Sequence, residues 1–220
     1  MRRHFVDELL KCYAFQKGCY KEALKQTFLQ MDKMLFSKEG KKELFDIAGA
    51  GIDIENIPGC TGCVALIVGN MLYVGNAGDS RCLLVENNQA IQITKDHVPT
   101  DPIENKRIKD AGSFVTRGRI GGRINMSRAI GDLEFKQNYT LPLEKQAMTS
   151  LPDVFERSLS SMSQMLIIGC DGVFDTATNK EVVTLLSEGI KGTGSMAKGI
   201  EYLLEKLVRG EVSGKLLMMF

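Results

Sequence analysis

The chain has 220 residues, 44% hydrophobic and 25% charged, with 28 Lys plus Arg against 27 Asp plus Glu and a formal charge of +1. That balance excludes collagen, a coiled coil and a disordered tail, and it removes the electrostatic case for nucleic acid or an anionic membrane as main partner. No run of about 18 apolar residues is present to span a bilayer, and Asp7, Glu8 and Lys11 interrupt any signal-peptide core after the basic start. A monomer in an intracellular compartment, cytoplasm or nucleus, is expected. Residues 3–36 read as helix, with Tyr20, Leu24, Thr27, Phe28, Met31, Met34 and Leu35 forming an apolar stripe at three- and four-residue steps. Gly18 separates this helix from an earlier one carrying Phe5, Val6, Leu9, Leu10 and Tyr13. Lys38 to Pro58, polar and bearing Gly40, Gly49 and Gly51, reads as a linker or surface loop.

The pattern then turns to strands. Cys63–Val68, the pair Gly69-Asn70 and Met71–Val74 predict a hairpin, and Cys82–Glu86, Asn87-Asn88 and Ala90–Thr94 predict a second. Asp101 caps the next helix, with Pro102 at its first position, Glu104 placed to reach back as in a capping box, and Gly112 closing it. Phe114–Thr116 and Ile124–Met126 read as short strands about a turn rich in glycine and arginine. Val154–Leu159 and Met165–Cys170 are further strands, the second so apolar that both faces should be covered. Thr178 and Glu181 form a capping box for a helix toward Ile190. Another helix follows from about Ser195 to Arg209, and Lys215–Phe220 would be a last strand. Antiparallel hairpins with helices in separate blocks point to one α+β layered domain.

Six cysteines are scattered without a disulfide framework, and Cys82 and Cys170 sit in apolar runs as small hydrophobes. Cys60-Thr61-Gly62-Cys63 is a CxxC pair, but a zinc site would want a second pair and the only histidines are His4 and His97, so a loop-to-strand entry is the reading adopted. Two acidic spots stand out instead. In Gly75-Asn76-Ala77-Gly78-Asp79-Ser80-Arg81, small residues let two backbones approach and Asp79 interrupts an apolar hairpin; it can pair with Arg81, cap a bend or meet a cation. In Gly169-Cys170-Asp171-Gly172-Val173-Phe174-Asp175, an apolar strand delivers Asp171 to its end, where a buried carboxylate must be paired or meet a cation. Hard divalent ions such as Mg²⁺ and Mn²⁺ take carboxylate and water oxygens.

Seven motifs stand in order over about residues 60–210: Gly62–Val68, Asn76–Arg81, Asp96-His97-Val98-Pro99, Glu104 with Arg107-Ile108 and Ala111-Gly112, Asn125–Asp132, Pro152-Asp153-Val154 and Cys170–Asp175. In them the chain resembles the metal-dependent protein serine/threonine phosphatases of the protein phosphatase 2C type. The resemblance implies an antiparallel β-sandwich flanked by helices, a binuclear Mg²⁺ or Mn²⁺ centre, and a phosphoprotein substrate or a regulatory protein partner. It implies Asp171 as ligand of the first ion, and Asp79, Asp171 and Asp175 as the acids of a third, weaker one. The stretch from about His97 to Arg128 resembles the flap bordering the substrate groove. Its Arg117, Arg119, Arg123 and Arg128 either touch an acidic or phosphorylated partner or form a solvated face.

The sequence also departs from that pattern. The family's opening strand with a phosphate-holding Arg and a Glu-Asp pair is missing, as is its Asp-Gly-His-Gly-Gly motif with the bridging Asp and the proposed general-acid His. Near the other end Ser213-Gly214 stand nearest the place of the family's Asp-Asn pair, and Glu211 lies about two residues out of register. A binuclear cluster must offset about four positive charges, and Asp171 with Asp79 and Asp175 supplies only part of that. The expectation is a phosphatase-family chain, short of its opening strands, that is inactive or strongly impaired as written. It would be either an incomplete phosphatase or a pseudophosphatase that binds a protein or phosphopeptide.

Overall fold

The computed structural model describes residues 3–48 and 58–212. Eight helices are described: α1 (Phe5–Lys11), α2 (Tyr13–Gln16), α3 (Tyr20–Phe36), α4 (Lys38–Ala48), α5 (Pro102–Asp110), α6 (Asp171–Phe174), α7 (Asn179–Thr193) and α8 (Met196–Val208). The strands are β1 (Gly62–Val68), β2 (Met71–Ala77), β3 (Arg81–Glu86), β4 (Gln89–Gln92), β5 (Val115–Thr116), β6 (Arg119–Ile120), β7 (Asp153–Ser158) and β8 (Ser163–Gly169). They divide between two compact units interleaved in sequence, Met1–Asp79 with Lys95–Arg157, and Ser80–Thr94 with Ser158–Phe220.

The first unit holds the sheet β1-β2-β7, whose hairpin pairs Val68 with Met71 across Gly69-Asn70, Gly69 supplying the left-handed turn. Helix α3 lays its stripe on this sheet. Leu24, Phe28 and Met31 are buried with Phe5, Leu9 and Ala77, and the Phe5 and Phe28 rings meet edge to face at 5.2 Å. Gly62 and Gly75 make room for Phe28, since a Cβ would stand 2.7 and 3.2 Å from its ring. Thus Gly75 admits a side chain, where the sequence suggested a second backbone. A second cluster in this unit joins Ile108 of α5 to Ile120, Ala129 and Met148. The small sheet there pairs β5 with β6, so Val115 faces Ile120; Ile124 adds only an isolated bridge and is not the strand expected.

The second unit holds the antiparallel sheet β4-β3-β8, covered by α7 and α8. Leu83 and Val85 of β3 pack with Val182, Val183, Leu186, Leu203 and Leu207. The Thr178–Glu181 capping box starts α7 as predicted, Gly194 ends it in the left-handed region, and Ser195 caps α8. On β8, Met165 and Ile167 pack against this core, but Ile168 points the other way and stays 45% exposed, contrary to the expectation of two covered faces.

Two further differences have local causes. Residues 38–48 are not loop but α4. Ser37 Oγ accepts the Gly40 N–H (3.0 Å) as its cap, and Gly40 lies so close to the Met34 carbonyl that no Cβ fits. Glu104 does not close a capping box on α5, although Asp101 does cap it by accepting the Ile103 N–H (2.9 Å). The Glu104 side chain turns inward to three other partners. The rest of the expected loop and the strand Lys215–Phe220 lie outside the described residues.

Candidate functional site

The end of β2 is a fixed corner. Asn76 is fully buried, and its Nδ2 donates to the carbonyls of Gly78 (3.1 Å) and Lys95 (3.2 Å). Gly78 has φ +121°, and a Cβ there would collide with the Thr61 side chain. The His97 N–H donates to the Gly78 carbonyl (3.0 Å), and the Gly78 N–H donates to His97 Nδ1 (3.2 Å). Asp79, half-buried, follows directly.

From His97 a chain of polar contacts runs through the same unit. Its Nε2 lies 3.2 Å from Asp153 Oδ2, and Arg128 donates to Asp153 Oδ1 (2.8 Å), to the Leu151 carbonyl (3.0 Å) and to Glu104 Oε1 (2.6 Å). Arg107 and Ser127 Oγ donate to Glu104 Oε2 at 2.6 and 2.7 Å. Burial alone would raise the Glu104 pKa; the Arg128 hydrogen bonds and charge, with Arg107 and Ser127, outweigh it and bring it to about 2. The His97 hydrogen bond, ahead of the Arg128 charge, likewise holds Asp153 well below the usual carboxylate range. A second buried pair lies in the same unit: Lys136 Nζ donates to Asp32 Oδ2 (2.5 Å) and the Ala129 carbonyl (2.7 Å), while Asp32 Oδ1 accepts the Gly131 N–H (2.9 Å). From the sequence, His97 and Asp153 stood only as motif matches, and Glu104 as a motif match and a capping-box residue. Glu104 three residues before Arg107 on one helix was the signal for at least one of these pairs.

The predicted acids are less enclosed. Asp171 begins α6 in the second unit and is exposed; its Oδ1 accepts the Gly172 N–H (2.8 Å). The expectation of a buried carboxylate at the end of β8 is therefore corrected, because the strand ends one residue earlier, at the sheet margin. Asp175 caps the other end of that single turn and is exposed too. Cys170 is also exposed, unlike Cys82, which is fully buried as expected.

The arginines fall into different settings. Arg117 is exposed at the β5–β6 turn with φ 49°, followed by Gly118. Arg119 is exposed and donates to the Arg123 carbonyl (2.9 Å). Arg123 pairs with Glu134 (2.6 Å) and stands 4.8 Å over the Phe135 ring. Arg128 departs from the reading as a groove or surface residue: it is 7% exposed and committed to Glu104 and Asp153.

A family model described as protein phosphatase 2C matches residues 3–210. The chain belongs to the protein phosphatase 2C family. It is 43% identical to "Probable protein phosphatase 2C 6" of Paramecium tetraurelia over 211 residues, 96% of this chain and 71% of that protein. It is 44% identical to "Protein phosphatase 2C 1" of the same organism over 206 residues, covering 94% of this chain and 67% of that one. Among solved structures, a phosphatase from a pathogenic strain of Toxoplasma gondii is similar in fold, with TM-score 0.69 and 21% identity over 94% of this chain and 75% of its own. The α+β fold inferred from the sequence is thus that of the protein phosphatase 2C family.

The protein phosphatase 2C family depends on Mg²⁺ or Mn²⁺, and the donor set can be tested against that need. Each hard divalent ion takes about six oxygen ligands, several of them anionic. Among the described residues, no three or more His, Cys, Asp or Glu side chains are grouped so as to hold a metal ion. Asp171 and Asp175 are two exposed carboxylates on one helical turn, and Asp79 belongs to the other unit. The described residues therefore do not fit a binuclear centre by themselves. Also among the described residues, no helix is long and apolar enough to cross a membrane.

Proposed function

We propose that these residues form the phosphoprotein-directed body of a protein serine/threonine phosphatase, and that the 220-residue polypeptide alone has little or no turnover. Asp171 keeps the first-ion role, and Asp79, Asp171 and Asp175 the weaker third-ion role, that their family motifs suggest; the motifs, not the placement of these side chains, support the assignment. Family membership supports the substrate class. The observation that carries the loss of turnover is the absence, among the described residues, of any grouped set of three ligating side chains. Phosphate release from a phosphothreonine peptide with Mn²⁺ tests it, with Asp171→Ala alongside. No metal-dependent release above that variant is expected; turnover that the substitution abolishes would overturn the proposal.

One feature favours a second reading, a monomeric pseudophosphatase that binds a phosphopeptide or protein. Arg117 occupies a left-handed position that Asn or Gly fills more readily, and it is exposed there beside exposed Arg119. Fluorescence polarisation of an inert phosphopeptide analogue checks this. Arg117→Ala with Arg119→Ala should weaken binding severalfold, and unchanged binding would remove the flap from the recognition surface.

A further inference from the structure

The chain leaves the first unit after Asp79, returns at Lys95 and leaves again after Arg157. One side chain touches all three stretches from within that unit. His97 lies two residues past Lys95. It holds Gly78, one residue before Asp79, through both backbone and ring, and its Nε2 meets Asp153 at the start of β7, the strand that runs out through Arg157. The His97 carbonyl also accepts the Ser127 N–H (3.1 Å). The ring is 2% exposed, so water does not compete for the imidazole, although the Asp153 carboxylate it meets is 43% exposed.

The surrounding bonds also decide where the ring proton sits. The Gly78 carbonyl already accepts from the His97 N–H and from Asn76 Nδ2, which uses its two lone pairs. A proton on Nδ1 would find that oxygen occupied and would face the Gly78 N–H, itself a donor aimed at Nδ1. Nδ1 must therefore accept, and the proton stands on Nε2, where Asp153 Oδ2 receives it. Asp153 is in turn held by Arg128, and Arg128 by Glu104 on α5.

We propose that His97, held as the Nε2–H tautomer, is the positioning residue that ties together the three chain stretches passing between the units, and so fixes the backbone that carries Asp79. The bearing of this clamp on phosphatase chemistry rests on the reading of Asp79 as a site acid, but the clamp itself is testable without activity. Asparagine places an acceptor near the Nδ1 position and glutamine places a polar group near Nε2, so the two ends can be restored separately. In the full ¹⁵N-labelled chain, the imidazole nitrogen shifts should report the Nε2–H form. Amide exchange of Gly78 should quicken about tenfold or more in His97→Ala, stay within about threefold of the parent in His97→Asn, and be as fast in His97→Gln as in His97→Ala. Equal exchange in the Asn and Gln variants, or an Nδ1–H ring, would overturn the proposal. If His97→Ala does not fold, the Asn and Gln variants alone decide. Because the readout is the Gly78 amide, a failed phosphatase assay leaves this result standing, and a failed clamp leaves the phosphatase reading standing.

Discussion

Glu104 is a carboxylate set between two guanidinium groups and removed from water, its side chain only 3% exposed. Its pKa of about 2 in the fold, against an ordinary 4.5, makes it a source of pH-dependent stability. A depressed carboxylate stabilises the fold fully above its unfolded value and loses that contribution as pH falls through the folded one. Held that far below its ordinary value, the carboxylate contributes roughly 3 kcal/mol at neutral pH, lost between about pH 4.5 and pH 2. Urea unfolding should show Glu104→Gln weaker by about 3 kcal/mol at pH 7, with a flatter acid limb, because two buried arginines lose their shared counter-charge. An unchanged acid limb would mean that other carboxylates set it. The Lys136–Asp32 pair supplies a second test, since both side chains are fully buried. Lys136→Met strands an anion and should cost about 3–5 kcal/mol. Adding Asp32→Asn keeps an acceptor for the Gly131 N–H while removing the charge, so the double variant should be the more stable of the two by chemical denaturation.

At the scale of elements, two glycines of α7 separate helix propensity from packing. Gly189 faces α8, where an added Cβ would stand 2.9 Å from Gly199 Cα and Tyr202 Cβ, while Gly192 meets nothing within 4 Å. Gly192→Ala should therefore stabilise by about 0.5–1 kcal/mol, and Gly189→Ala should destabilise by about 1–3 kcal/mol, as measured by thermal melts. Equal effects would mean that α7 and α8 separate at no cost. The same contrast between local and tertiary causes explains which elements could be read in advance. The hairpins and the Thr178 capping box are written in neighbouring residues, and both were legible, whereas the helix expected toward Ile190 runs on to Thr193 before Gly194 ends it. Helix α4 was not, because its Gly40 looks like loop punctuation until the nearness of the Met34 carbonyl is known. Arg128 was misplaced for a related reason: its partners lie 24 and 25 residues away, at Glu104 and Asp153, and no local pattern distinguishes a buried arginine from a surface one. Asp171 was located by its motif, but its exposure depends on where β8 ends and not on the apolar run before it.

For the molecule as a whole, the family's metal dependence and the sparse acids give opposite expectations for one measurement, the thermal midpoint with and without Mn²⁺. An ion that binds only the folded chain stabilises it by RT ln(1 + [ion]/Kd), which is about 4 kcal/mol when the ion is at a thousand times its Kd. Two such ions would add about 8 kcal/mol, and a chain of this size gains about 2–4 °C per kcal/mol, so the midpoint would rise by roughly 15–30 °C. Two exposed carboxylates on one turn of α6 hold an ion far less well, because water competes for the same oxygens and no third acid of the described residues is grouped with them. With a Kd near the ion concentration, the gain is about 0.4 kcal/mol and the shift about 1 °C. Calorimetry of residues 1–220 in 1 mM Mn²⁺ should therefore give a shift of about 1–2 °C, largely removed by Asp171→Ala together with Asp175→Ala. A rise of ten degrees or more would show that these residues do gather a tight centre, and the proposal that turnover needs ligands beyond them would have to be withdrawn.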